Sequence, residues 1–264
     1  MNVTYQKNYE KPTITPKSVI IVIMCVMLCC LIKSCVSYFS IINAQMHYDS
    51  YISYLEKKKN TEGFESLKNI NRDFMAWLKI DDVNLSMPIV STSSKNDEDF
   101  YLKHGFDKKT NILGCPYQSY QFNYKTENNS LINGHSSYTI STFGSTKQQS
   151  LFGKLNTYLT TQSSSYTYKL LFETENGTDI YTIIGYFKFK ITNTSSSEYQ
   201  EVYNKIYCAN SLKTENEYNN FIECLKKYSI APINIDSSFG DKFITLFTCS
   251  PNLDYRTIVV AKKI

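Results

Sequence analysis

The sequence predicts a mainly β domain, a barrel or sandwich decorated by helices, with N-terminal helices and a single transmembrane helix. Three observations predict it. Short segments rich in Ile, Val, Tyr, Phe and Thr alternate with polar turns over most of the chain. A few stretches carry apolar residues at three- and four-residue steps, the helical period. One uninterrupted apolar run lies near the N-terminus.

That run, Ser18 to Ile32, holds 15 uncharged residues. As a helix it is about 22 Å long, short of a hydrocarbon core of roughly 30 Å. Extension through Lys33 to Ile42 gives about 37 Å, enough to span with tilt, and the stem of Lys33 can snorkel to the headgroups. Tyr38 and Phe39 then fall near an interface. A cleaved signal peptide is the rival reading, but no small-residue cleavage site follows. Lys7, Lys11 and Lys17 favour a cytoplasmic N-terminus and an exported remainder, although Lys57, Lys58 and Lys59 weaken the charge asymmetry. The expected organisation is a cytoplasmic segment 1–17, an anchor 18–42, a stalk 43–63 and a folded domain 64–264.

Met46 to Asn60 is polar and reads as a helical stalk rather than a core element. Phe64, Leu67, Ile70, Phe74, Trp77 and Leu78 follow helical spacing and predict an amphipathic helix ended by Asp81-Asp82. Val83–Val90 is a first strand interrupted by Pro88. Further strands are expected at Asn111–Tyr117, Ser130–Asn133, Thr167–Phe172, Ile180–Phe189, Phe243–Thr248 and Thr257–Ala261. Leu151 to Leu159 suggests a short helix, and Tyr218 to Tyr228 a longer one.

Composition narrows the chemistry. The net charge is +4, and residues 1–42 carry most of it, so the folded part lacks the basic patch of a nucleic-acid binder. There are three histidines, His47, His104 and His135, and two arginines, Arg72 and Arg256, among 28 basic residues. Abundant Lys, Asn, Ile and Tyr with little Ala fit an AT-rich genome, against which a retained arginine stands out. Of eight cysteines, Cys25, Cys29, Cys30 and Cys35 lie in the N-terminal anchor segment 18–42. Cys115, Cys208, Cys224 and Cys249 are scattered, with neither a disulfide framework nor zinc spacing, although a Cys208–Cys224 bridge is open. No acidic loop has calcium-ligand spacing, so no metal or cofactor is implied.

Near the C-terminus an apolar strand ends at Cys249, and the chain returns to Arg256 seven residues later to open another strand. If the two strands are neighbours, thiol and guanidinium lie at one end of a sheet, where scaffolds present reactive groups. In Leu131-Ile-Asn-Gly-His135 a strand runs into a turn that carries an imidazole. A thiol with a pKa near 8.5 is only a few per cent thiolate at neutral pH, and a neighbouring imidazole or guanidinium raises that fraction. Acyl transfer also needs a donor for the developing oxyanion. Cys, His and Arg together meet those needs. Taken singly, each has a plainer reading: a small buried hydrophobe, a turn histidine, a surface charge. His47 and His104 sit beside no strand-end pattern. Arg72 lies in the helical pattern and reads as structural, and Asp254 reads as a loop carboxylate.

Thr245-Leu246-Phe247-Thr248-Cys249 followed by Arg256 resembles the signature of the sortases, membrane-anchored cysteine transpeptidases of Gram-positive bacteria. Asn133-Gly134-His135 is similar to their Tyr-Gly-His-Asn motif. Trp77 to Val90, Phe100-Tyr-Leu-Lys-His104, Tyr218–Tyr228 and Gly240 to Leu246 are similar to class B segments, so the resemblance covers about residues 64–264. It implies a sortase-like β-barrel. It also implies that Cys249 attacks a sorting-signal carbonyl, that His135 acts as acid and base, and that Arg256 holds substrate and oxyanion. Asn96 is a candidate contact for the sorting peptide, with a turn-forming role as the alternative. Partners implied are secreted proteins bearing a sorting signal, a peptidoglycan or lipid II amine acceptor, and the membrane through the N-terminal helix.

The chain departs from the family at several points. Phe247 stands where class B often has Ser, Asn133 replaces Tyr, Ser136 replaces Asn, and the Cys–Arg step is short. These bear on specificity more than on reaction class. The rivals are another cell-wall Cys–His peptidase or L,D-transpeptidase, whose Ser-His-Gly-Cys-x-Arg cluster is absent, and an inactive anchored binding module.

Overall fold

The computed structural model describes residues 16–92, 97–139, 148–159, 168–230, 235–249 and 254–264. The chain divides into two units, one ending at Asn43 and one running from Ala44 to Ile264. The first contains the start of helix α1 (Pro16–Glu62). Its segment Pro16–Ser40 is long and apolar enough to cross a membrane, and its large apolar side chains are exposed.

The second unit is built on eight strands: β1 (Phe74–Ile80), β2 (Leu85–Ser91), β3 (Tyr117–Gln118), β4 (Asn129–Asn133), β7 (Lys169–Thr174), β8 (Gly177–Lys190), β9 (Phe243–Cys249) and β10 (Tyr255–Lys263). They close into a barrel in the order β1-β2-β3-β4-β9-β10-β8-β7. The β2–β3 and β4–β9 pairs are parallel and the others antiparallel. A separate hairpin of β5 (Ser136–Thr139) and β6 (Gln148–Leu151) follows β4 directly.

The two-residue period of the strands sorts side chains between two cores. Ile244 and Leu246 of β9, with Val259 and Ala261 of β10, join the cluster inside the barrel. Phe243 of β9, with Ile258 and Val260 of β10, faces outward into a second cluster. That outer cluster is covered by α3 (Ser197–Val202), the π-helical turn Tyr203–Tyr207 and α4 (Glu215–Tyr228). A reciprocal capping box starts α4: Thr214 Oγ1 accepts from Glu217 N, and Glu217 Oε2 accepts from Thr214 N.

Several expectations need correction. The helix predicted over Phe64 to Leu78 is a single turn, α2 (Phe64–Lys68), followed by strand β1. Asn71 separates them: its Oδ1 accepts from Asp73 N at 2.9 Å, and its Nδ2 donates to Phe106 O at 2.8 Å. A near-continuous apolar run satisfies helical spacing and buried-strand spacing alike, and here both faces of β1 are buried. Pro88 does not interrupt β2 but pairs with Trp77. There β2 lacks a neighbour on its other edge, because β3 pairs only with Val90 and Ser91. Of the strand expected at Asn111–Tyr117, only the last residue belongs to β3.

The stretch read as a stalk packs on the barrel, with Tyr48, Ile52 and Leu55 buried in its cluster. Lys59 is buried too; it pairs with Glu173 of β7 and lies 5.3 Å from the centre of the Trp77 ring. Cys208 and Cys224 are free thiols, so no bridge joins them.

Candidate functional site

Three adjacent strands bring the motif positions to one end of the barrel. Arg256 of β10 stands opposite Cys249 of β9, and Ile258 stands opposite Phe247. On the other side of β9 the parallel strand β4 sets Asn133 against Phe247. The ladder continues one residue further, where Gly134 N donates to Phe247 O at 3.0 Å. His135 follows. By the two-residue period, Arg256 shares the outward face of 258 and 260. Arg256 is half-buried, and its Nη1 donates to Tyr255 O at 3.2 Å.

The His135 ring is held from several sides. It is half-buried, and Nε2–H donates to Leu102 O at 2.8 Å. A carbonyl only accepts, so the proton lies on Nε2, and in the neutral ring Nδ1 is the acceptor. The short 3₁₀ turn Phe100–Leu102 presents that carbonyl and is itself fixed. Tyr101 Oη donates to Asp73 Oδ2 at 2.6 Å and accepts from Asn71 Nδ2 at 2.9 Å. His104 stacks on Phe100 with centroids 3.9 Å apart, and its Nδ1 bonds Phe100 O at 2.7 Å, so it serves this turn rather than the strand ends.

Two glycines allow the approach. Gly114 has φ +64°, and a Cβ there would lie 2.4 Å from Tyr101 O and 3.2 Å from His135 Cδ2. A Cβ on Gly134 would lie 2.7 Å from the Phe152 ring, while Phe152 N donates to His135 O at 3.2 Å.

A row of rings borders the same outward face. Phe189, which pairs with Arg256 across β8 and β10, contacts Tyr199; Tyr199 stacks on Tyr203 and Tyr203 on Tyr207. Tyr207 meets Phe247 with centroids 4.5 Å apart. Burial, reinforced by Tyr203 and Glu98, pushes the Tyr207 phenol up to about 12. Sequence reading missed this row. Its signal was there: tyrosines at 199, 203 and 207 repeat every four residues and line one side of a helix.

Asn96 lies outside the described residues. Asp254 is an exposed turn residue. Arg72 lies in the turn between α2 and β1, and His47 is exposed on α1. Among the described residues, no group of three or more His, Cys, Asp or Glu side chains is placed to hold a metal ion.

No family model matches the chain. Sortase B of Staphylococcus aureus is 23% identical over 203 residues, which span 75% of this chain and 73% of that protein. Sortase B of Listeria monocytogenes is 25% identical over 190 residues, spanning 72% and 68%. Among solved structures, a Staphylococcus aureus sortase B–substrate complex superposes with a TM-score of 0.61 at 21% identity, covering 83% of this chain and 95% of that one. The structural likeness establishes the barrel as the sortase fold. In sequence, too, the chain resembles class B sortases.

Proposed function

We propose that the chain is a cysteine transpeptidase that cleaves a C-terminal sorting signal of secreted proteins and passes the acyl group to a peptidoglycan or lipid II amine. The observation that carries this reading is the register Asn133–Phe247 and Cys249–Arg256, with His135 just beyond the first pair. The three residue types that acyl transfer needs share one end of three neighbouring strands. The Staphylococcus aureus relative solved as a substrate complex supports a substrate site on this fold.

In this mechanism His135 takes the Cys249 proton, and the thiolate attacks the carbonyl carbon of the sorting-signal threonine. Arg256 holds the oxyanion as the C–S bond forms. The C–N bond then breaks, and imidazolium returns its proton to the leaving amine. An incoming amine loses a proton to His135 and attacks the thioester, which releases Cys249. Asn96 contacts the sorting peptide in this reading. The helix Pro16–Ser40 serves as a single-span anchor with the N-terminus in the cytoplasm and the barrel outside.

The test is cleavage of a fluorogenic peptide library by the full chain in detergent, with mass spectrometry for a thioester adduct. Cleavage and adduct should both vanish in Cys249→Ala. Cleavage that survives this substitution overturns the reading.

A further inference from the structure

Where β1 begins and β2, β3 and β7 end, a cleft of about 430 Å³ opens. It is separate from the strand-end site. Gln118 pairs with Ile132 and Ser119 N bonds Leu131 O, so the cleft lies toward the start of β4, whereas His135 lies past its end. Gln118 also shares the face of Ile132, which belongs to the barrel interior, not the outward face of 247 and 258.

Two features of the cleft call for a ligand. The first is charge. Arg72 lines it, exposed, with no ion pair or hydrogen bond among the described residues. Lys68 and Lys125 line it too; Lys68 pairs with Glu175, which leaves the guanidinium and the Lys125 ammonium in excess. The Lys68 bond, with Lys125 adding its field, holds the Glu175 carboxyl below its ordinary range. The second feature is an unmet amide. Gln118 is 4% exposed, and its Oε1 has no hydrogen-bond partner among the described residues. A buried amide oxygen without a partner is costly, and a ligand hydroxyl relieves that cost. Tyr124 adds a flat wall, and its ring is braced edge-on against Phe172.

We propose that this cleft binds a small oxyanion carried on a hydroxyl-bearing body, a sugar phosphate or a sugar carboxylate. Arg72 and Lys125 take the anion, for which a guanidinium fork is the fitting donor. Gln118 and the tyrosine take the body. The volume lies in the range of small-molecule sites. The inference does not depend on the proposed transpeptidase activity, because none of these residues belongs to the strand-end constellation.

Isothermal titration of the full chain in a neutral detergent tests it, with glucose 6-phosphate, glucuronate and glucose as probes. One or both anions should bind, and the arm that binds identifies phosphate or carboxylate as the preferred group. Neutral glucose should bind much more weakly. Arg72→Gln should weaken anion binding by about tenfold, and Gln118→Leu should weaken both anions. Peptide cleavage should be unchanged in Arg72→Gln, and Lys125→Gln is the second charge variant if the first misfolds. No binding of either anion, equal binding of glucose, or anion binding indifferent to Arg72 and Lys125 overturns the proposal.

Discussion

Arg256 faces Cys249 directly across the β9–β10 pair, with Thr257 against Thr248 as the next rung. Both rungs belong to regular strands, so the spacing of the two positions is set by the ladder rather than by the turn that joins them. A ladder holds a guanidinium fork in a fixed place, and oxyanion binding depends on such placement. Arg256→Lys keeps the charge and loses the planar fork. Its kcat/KM for peptide cleavage is expected to fall about a hundredfold or more while the melting temperature stays close to that of the parent. Near-normal turnover in this variant would remove Arg256 from the site.

His135 depends on a carbonyl that comes from a different part of the chain, Leu102 O. Gly114→Ala places a Cβ against Tyr101 O, one residue before that carbonyl, and against the imidazole itself. A left-handed non-glycine residue costs about 1–3 kcal/mol, and displacing the carbonyl by about 1 Å also misplaces the ring. Gly240→Ala is the control. It sits at φ +100° with open space around it, so it carries the strain without touching the site. Both variants should melt earlier, but only Gly114→Ala should lose cleavage rate by more than about tenfold. A nitrogen NMR spectrum of His135 should show the proton on Nε2 in the parent.

The barrel was legible because its later strands carry the pattern that burial demands. Ile244, Leu246, Val259 and Ala261 point inward while Phe243, Ile258 and Val260 point outward, so β-branched and aromatic residues crowd both faces of β9 and β10. The same crowding hid β1, since Phe74, Trp77 and Leu78 satisfy either period. Hairpin β5–β6 was missed because Ser136–Thr139 and Gln148–Leu151 lack an apolar alternation. That positions 249 and 256 meet at neighbouring strand ends was readable from local spacing. The Leu102 carbonyl and the Tyr199–Tyr203–Tyr207 row were not, because their relation to positions 135 and 247 is set by tertiary packing.

The cysteines of the barrel unit supply a test of reactivity. Burial pushes the Cys224 thiol up to about 11, carries Cys115 beyond the ordinary range, and raises Cys208. A raised thiol pKa means that the folded state keeps a proton that the unfolded chain releases. The stabilisation is complete below the ordinary thiol pKa, about 8.5, and is lost as pH rises from there toward about 11. Melting temperature should therefore decline across that window. Iodoacetamide at mildly alkaline pH should modify Cys249 well before Cys115 and Cys224, as read by peptide mass spectrometry. Equal rates at all three would contradict the burial assigned to the latter two.

Lys59 ties the second half of α1 to the barrel. It is 8% exposed and paired with Glu173, itself 21% exposed. Lys59→Met retains the aliphatic stem against Trp77 and leaves the carboxylate without its partner. Removing one member of a buried pair leaves the other uncompensated, so a loss of about 2–3 kcal/mol is expected in urea unfolding. Lys59→Met with Glu173→Gln should recover most of it, because no unpaired charge remains. An additive double variant would show that the two residues contribute independently.

Under the proposed function, Phe247 is expected to limit what approaches position 249 along β9. It is half-buried two residues before Cys249 and touches Tyr207, the last ring of the row borne by α3 and the π-helical turn. Truncating it widens the outward face beside the cysteine and frees Tyr207. Phe247→Ser is expected to cost about 1 kcal/mol for the lost ring pair. In a peptide library it should shift preference toward bulkier side chains next to the cleaved bond, mainly through KM. Tyr207→Ala removes the other half of the same contact and should shift the preference in the same direction. Opposite shifts, or an unchanged profile in both variants, would mean that the pair supports the fold without shaping the substrate groove.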